Sequence, residues 1–235
     1  MVVYTKGEIN RAGSLLRNWW TAYDPDDEQP TSPGVVEAVG LVSEFRRTIS
    51  PPLAKTTVGL RQFVGIESSR TRVAQRLKAL PRIVNKLARE PGMQLARMGD
   101  VGGCRAILSD QHEVYRVLVR IRKNWTVKVL NDYVETPRDT GYRAVHVVIE
   151  RDGRLIELQL RTLGQHLWAD QVEAEETSGG HSGLKGGQGR AEVVDYFRVL
   201  SDAVHARDNH PDQLDDALMH LSVVRPLAAP FLRTQ

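Results

Sequence analysis

One cysteine, Cys104, stands in 235 residues, which leaves no intramolecular disulfide and no cysteine-built zinc site. Both absences favour a reducing compartment, and the cytoplasm is the expected location. No window of about 18 apolar residues occurs, and Met1 to Asn10 has no apolar core behind basic residues, so neither a membrane span nor an export signal is expected. Repeats of 20–50 residues and heptad arrays are also missing. The Gly-rich stretch Gly179 to Gly189 lacks the phosphate-loop spacing, because Leu184 stands where the second glycine belongs and Lys185 precedes glycine rather than Ser or Thr. It reads as a connector.

What is present is enough for one core: 41% of the side chains are hydrophobic. The formal charge is only +3, so distribution matters more than total. Acids are scarce where bases are dense. Between Arg61 and Arg89 stand Arg61, Arg70, Arg72, Arg76, Lys78, Arg82, Lys86 and Arg89 against the single acid Glu67. A solvated helix face normally interleaves acids at i+4, so this block points to a polyphosphate or nucleic acid.

Apolar spacing near 3.6 predicts helices over Ile9 to Tyr23 and Val35 to Ile49, the second behind Ser32-Pro33 and stopped by Pro51-Pro52. Asp24 to Pro30 reads as a loop. Further helices are expected over Ser68 to Leu77 and from Pro81, the latter turning Ile83, Val84 and Leu87 inward. After Gly99 the texture changes. Cys104 to Leu108, Thr126 to Leu130, Ala144 to Ile149 and Leu155 to Leu160 read as strands, with a helix over Gln111 to Arg122 and an Asp152-Gly153 hairpin turn. Helical pattern returns over Leu163 to Glu176 and Ala191 to Ala206. The expected fold class is α+β, a mixed sheet of about five strands flanked by helices. Three regions follow: a helical region over 1–60, a central domain over 61–178, and a connector with C-terminal helices over 179–235.

Phosphoryl chemistry needs a divalent ion, and carboxylates on rigid elements supply its oxygen ligands. Asp100, opening a strand from Val101 to Leu108, and Glu157, inside Leu155 to Leu160, are the candidates. Glu157 is either an edge-strand surface residue or a paired or metal-bound carboxylate, since an unpaired one in so apolar a strand is costly. The two-residue period puts Glu157, Gln159 and Arg161 on one polar face. A bulge at Gly102-Gly103 would bring Arg105 to the side of Asp100. Pro137 and Gly141 turn the chain so that Tyr142 and His146 share a face, and an aromatic beside arginines such as Arg138 makes a base-stacking platform.

Arg76-Leu77-Lys78, then Ile83, Lys86 and Arg89, then Asp100 to Arg105, then Asp132-Tyr133, Pro137, Gly141-Tyr142 and His146, and finally Glu157 to Thr162 resemble, in order, the motifs of the RelA/SpoT synthetase domain. That resemblance implies a nucleotidyltransferase-like sheet that moves pyrophosphate from ATP to the 3′-hydroxyl of a ribonucleotide. It further implies Mg²⁺ between Asp100 and Glu157, the catalytic pair, with Glu157 helping to deprotonate the hydroxyl. Arg76 and Arg105 would sandwich adenine, and Lys78 and Lys86 would hold the ATP phosphates, with Arg82 and Arg89 beside them. Tyr142 would stack on the acceptor base, so Tyr142→Phe is expected to be nearly silent; Arg138, His146, Gln159 and Arg161 would complete the acceptor site. Arg82 departs from the usual serine and Arg138 from the usual lysine. No His-Asp hydrolase motif precedes Arg70, so hydrolysis of the product is not expected.

The stretch Arg161 to Glu173 is similar to toxic small alarmone synthetases of the CapRel and FaRel kind. This implies a growth-inhibiting toxin that modifies the tRNA 3′-CCA end, with an antitoxin as a further partner. Arg116, Arg120, Arg122 and Lys123 offer a basic cluster for RNA, or simply a solvated helix face. A (p)ppGpp or (p)ppApp synthetase is the alternative within the same chemistry. A catalytically weak RNA-binding or phage-sensing module is the alternative outside it.

Overall fold

Helix starts explain the N-terminal third. Thr5 accepts from the Glu8 amide while Glu8 reaches back to the Thr5 amide, a capping box that opens α1 (Lys6–Ala22). Ser32 caps α2 (Pro33–Thr48), with proline in its first turn where no amide partner is lost. The same physics corrects one expectation. α2 ends before Pro51-Pro52 as expected, but the two prolines, rather than leading into a loop, open a third helix, α3 (Ser50–Val64), because first-turn amides have no intrahelical carbonyl to meet. The structure, a computed structural model, describes residues 4–23, 32–65, 72–178 and 183–232. The expected loop at Asp24 to Pro30 therefore lies outside the described residues.

A second correction concerns Ser68 to Leu77. Its described part, Arg72–Leu77, is strand β1, antiparallel to β2 (Gly102–Leu108). Val73 and Leu77 are the half-buried residues of the strand, and a four-residue separation puts two side chains on one face of a helix or of a strand alike. Periodicity alone therefore did not separate the two. The remaining elements are α4 (Leu80–Arg89), α5 (Gln111–Asn124), β3 (Thr126–Asp132), β4 (Val145–Arg151), β5 (Arg154–Thr162), α6 (Leu163–Ser178), α7 (Ala191–Asn209) and α8 (Leu214–Ala228). Pro81 opens α4 and Ile83, Val84 and Leu87 are buried, as the spacing predicts. Asp152 and Gly153 take φ of 49° and 71° in the β4–β5 hairpin, the left-handed pair that a two-residue turn demands.

The sheet order is β1-β2-β5-β4-β3, with β2 and β5 parallel and every other pair antiparallel. Register sorts the side chains into two faces. Gly102, Cys104, Ala106, Ile156, Leu158 and Leu160 join the core with Ile49 and Leu53 and with Val114, Val117, Leu118 and Ile121 of α5, so α3 and α5 cover the apolar face. Gly102 is required there: a Cβ would stand 2.5 Å from Ile49 Cγ2. The opposite face carries Arg72 and Arg76, Arg105, Glu157, Gln159 and Arg161, and His146 on four adjacent strands. No bulge interrupts Gly102-Gly103, which pair regularly with Leu77 and Arg76; the irregularity falls at Val127/Val129 instead. Asp100 stands in the turn before β2 rather than opening the strand.

The core also takes in Ile9 and Leu16 of α1 and Val42 and Phe45 of α2, so the N-terminal helices and the sheet share one interior, and the boundary drawn at residue 60 falls inside α3. Trp168 and Val172 of α6 anchor a second cluster with Leu184, Val193, Tyr196, Phe197 and Ala228. Gly183 and Gly187, both left-handed, bracket the buried Leu184 in the described part of the Gly-rich stretch. No described helix is long and apolar enough to cross a membrane.

Candidate active site

Two groups of side chains meet on the polar face. At one end, Asp100 Oδ2 accepts from Lys78 Nζ at 2.6 Å and lies 3.0 Å from Lys86 Nζ. Lys78 follows β1 directly and Lys86 comes from α4, so the turn before β2 is pinned from two elements. Burial pushes the Asp100 carboxyl up, but Lys78 and Lys86 outweigh it and hold the group below its ordinary range.

Beside it runs a closed ring of hydrogen bonds. Glu157 Oε1 lies 3.2 Å from His146 Nδ1, His146 Nε2 lies 2.6 Å from the Tyr142 hydroxyl, and Arg161 Nη2 donates to that hydroxyl at 2.7 Å. Arg161 Nη2 also donates to Gln159 Oε1 at 3.2 Å, and Gln159 Nε2 donates to Glu157 Oε2 at 2.8 Å, closing the ring. Since the phenol accepts from Arg161, its own proton is left for His146 Nε2, and His146 Nδ1–H then donates to Glu157. Burial raises the Glu157 carboxyl, yet the His146 and Gln159 bonds outweigh it and keep the group ionised, against the opposing charge of Asp100. Burial raises the Tyr142 phenol, with Arg161 opposing, so it stays protonated at neutral pH.

Most expected site residues therefore converge. Arg76 and Arg105 lie on neighbouring strands of this face, and the Arg76 charge acts on Arg105. Arg138 sits 4.4 Å above the Tyr133 ring and 5.6 Å from that of Tyr142. Arg82 and Arg89 are exposed on α4, and among the described residues no hydrogen bond or ion pair joins them to the network. Arg116, Arg120, Arg122 and Lys123 are exposed on α5, which covers the other side of the sheet.

The sequence reading gave no site role to four residues, although Tyr133 stands in one of its motifs. Tyr133 meets both Tyr142 and His146 edge-on, at 5.9 and 5.3 Å between ring centroids. Trp168 backs the Tyr142 ring at 6.2 Å. Asp170 lies 3.7 Å from Arg105 and 3.3 Å from His166 Nδ1. The His166/Asp170 pair has the i,i+4 spacing that marks facing residues on a helix, and that signal was available.

Asp100 and Glu157 suit a divalent ion. Asp100 Oδ1 is buried and has no hydrogen-bond partner, an orphan acceptor that a cation satisfies. No group of three or more His, Cys, Asp or Glu able to hold a metal occurs among the described residues. Two carboxylates with the rest supplied by phosphate oxygens and water is the usual setting for Mg²⁺.

Residues 75–177 match the family model described as the region found in RelA/SpoT proteins. Over those residues the chain is similar to a RelA/SpoT-type synthetase domain. GTP pyrophosphokinase YwaC of Bacillus subtilis is 30% identical over 110 residues, 40% of this chain and 52% of the relative. GTP pyrophosphokinase YjbM of the same organism is 28% identical over 109 residues, covering 41% and 52%. The chain thus spans about half the length of these curated relatives. The fold extends further than the sequence match. Small alarmone synthetase 1 from B. subtilis, bound to its product pppGpp, superposes with a TM-score of 0.59 at 20% identity, covering 74% of this chain and 97% of that one. Small alarmone synthetase 2 does so at 0.56 and 22%, covering 75% and 95%. Every residue of the ring and both lysines fall inside the matched residues.

Proposed function

We propose that the chain is a cytoplasmic pyrophosphokinase that transfers the β,γ-pyrophosphoryl group of ATP to the ribose 3′-hydroxyl of a purine nucleotide. The observation that carries it is the pairing of Asp100, gripped by Lys78 and Lys86, with the Glu157-centred ring on one sheet face. ATP phosphates draw Lys78 and Lys86 from Asp100, while Arg76 and Arg105 flank the adenine. Tyr142 receives the acceptor base, backed by Trp168 and flanked by Tyr133 and Arg138. The Glu157 carboxylate, held by His146 and Gln159, orients the 3′-hydroxyl and takes its proton. The 3′-oxygen attacks the β-phosphorus, the bond to the α-phosphate oxygen breaks, and AMP leaves with that oxygen. Mg²⁺ held by Asp100 and Glu157 would neutralise charge on the transferring group.

Incubation with γ-labelled ATP plus GDP, GTP, ATP or total tRNA tests this: label entering a nucleotide with matching AMP release is the expected result, and no labelled product refutes it. A tRNA 3′ end is the second acceptor, as in a toxin. Exposed Leu163 and Leu167, which flank His166 on α6, favour it as an apolar ledge for terminal bases. The α5 cluster contributes little to that reading, because it lies across the sheet from Glu157.

A further inference from the structure

Helix α8 is apolar on two sides, where a helix packed on one neighbour needs only one. Leu221, Val224 and the buried Ala228 turn inward against the Trp168 cluster. Leu218, Met219, Val223 and Leu227 point away from it and are 47, 64, 61 and 60% exposed, the densest run of exposed large apolar side chains among the described residues. A contiguous apolar stripe of this kind on a soluble surface marks a contact with another molecule.

The charges around the stripe say which molecule. At about 100° per residue, Asp215, Leu218, Ser222 and Arg225 line one flank of it and Met219, Val223 and Leu227 the other. Asp215 stands in the first turn of the helix and Arg225 in the last. Both are exposed, and among the described residues neither forms an ion pair. Turned end for end about His220, the first flank matches itself: Asp215 comes opposite Arg225, and Leu218 opposite Ser222. Ser222 suits an apolar neighbour, since its hydroxyl already donates to the Met219 carbonyl at 2.6 Å. In the same arrangement Met219 of each copy lies close to the axis, and the two helix dipoles run in opposite directions. A uniformly acidic or uniformly basic partner would instead meet like charge at one end of the stripe.

We propose that this face of α8 docks a second copy of the chain as an antiparallel helix pair, with a two-fold axis near His220. An isologous contact of this kind makes every interaction twice, so one Asp215–Arg225 match becomes two ion pairs flanking a shared apolar seam. No residue of the polar sheet face takes part, so the pairing stands whether or not the transfer reading does. One helix face about 22 Å long is small beside the roughly 800 Å² per partner of a tight dimer, so association is expected in the range of about 1–100 μM.

Sedimentation velocity of the intact chain, from about 1 to 200 μM, should show the mass rising from one chain toward two. Met219→Glu and Val223→Glu should each hold the chain monomeric throughout; both positions are exposed, so thermal melting of the diluted variants should match that of the wild type. Asp215→Arg and Arg225→Asp should each raise the dimer Kd by about tenfold or more, since each sets like charges opposite one another. The double variant Asp215→Arg/Arg225→Asp should return it to within about threefold of wild type. Because that double variant places its charges against the helix dipole, its recovery separates pairing between copies from stabilisation of α8 itself. A wild type that stays monomeric at the highest concentration overturns the proposal, leaving the stripe to a different protein. A dimer that survives both glutamate variants overturns it as well, because the copies then meet elsewhere. Failure of the double charge swap to restore the dimer overturns the antiparallel match between Asp215 and Arg225.

Discussion

Tyr142 shows how a residue's role changes once its partners are known. Stacking alone would make Tyr142→Phe nearly silent. Its hydroxyl instead joins His146 to Arg161, and removing it strands a ring nitrogen and a buried guanidinium N–H. We expect Tyr142→Phe to lose about 1–3 kcal/mol of stability by thermal unfolding. Its kcat should fall as well, because His146 no longer has a fixed tautomer to present to Glu157. A variant with wild-type melting and wild-type kcat would show the hydroxyl to be dispensable. On the proposed reading, Glu157→Gln and Asp100→Asn should each reduce transfer by several orders of magnitude, read as AMP release, since the first would remove the proton acceptor and the second a metal ligand. At this scale the sequence was informative wherever the two-residue strand period applied, as for Glu157, Gln159 and Arg161. It gave no role to Tyr133 and Trp168, because they reach Tyr142 from a turn and from a helix, and no periodicity links those segments.

Elements were legible where their ends carried a chemical signal: Ser32-Pro33, Pro81 and Asp152-Gly153 each mark a boundary by a cap or a turn. β1 was not, because Val73 and Leu77 satisfy both periods and its pairing to β2 is a long-range fact. That pairing puts Lys78 beside Asp100, and a pH dependence follows. The folded Asp100 pKa lies below its unfolded value of about 3.9. The stabilisation from Lys78 and Lys86 is therefore complete above that value and is lost only as pH falls through the lower folded one. Chemical denaturation at several pH values should find this contribution constant from about pH 5 to 8, with Asp100→Asn flattening the decline on the acid side. A second prediction concerns the β2–α3 contact. Gly102→Ala should cost roughly 1–3 kcal/mol in urea, because its Cβ would overlap Ile49 Cγ2, and in the double variant Gly102→Ala/Ile49→Ala, which removes that atom, the loss should be smaller than the sum of the two single losses.

For the whole molecule, the disposition of the two sheet faces decides how an acceptor approaches. From the sequence, Arg116, Arg120, Arg122 and Lys123 looked able to hold an RNA backbone near the site, because sequence distance says nothing about which face a crossover helix covers. In the fold α5 packs on the apolar side with α3, where Arg120 donates to the Phe63 carbonyl, and the chemistry lies on the other side. The cations that do share the site's face, Arg72, Arg76, Arg105, Arg138 and Arg161, are spaced across strands at the scale of a nucleotide rather than along a groove. A tRNA that gained its affinity from many phosphate contacts would lose about 10³–10⁵ in binding between 50 and 200 mM salt. A nucleotide held by a few partly buried groups is screened far less. We expect the KM for GDP to rise by less than about tenfold over that range, and Arg116→Glu/Lys123→Glu to leave it unchanged. A steep salt slope together with loss of transfer in the α5 double variant would mean that the acceptor reaches around the sheet edge to α5, and would make RNA the substrate.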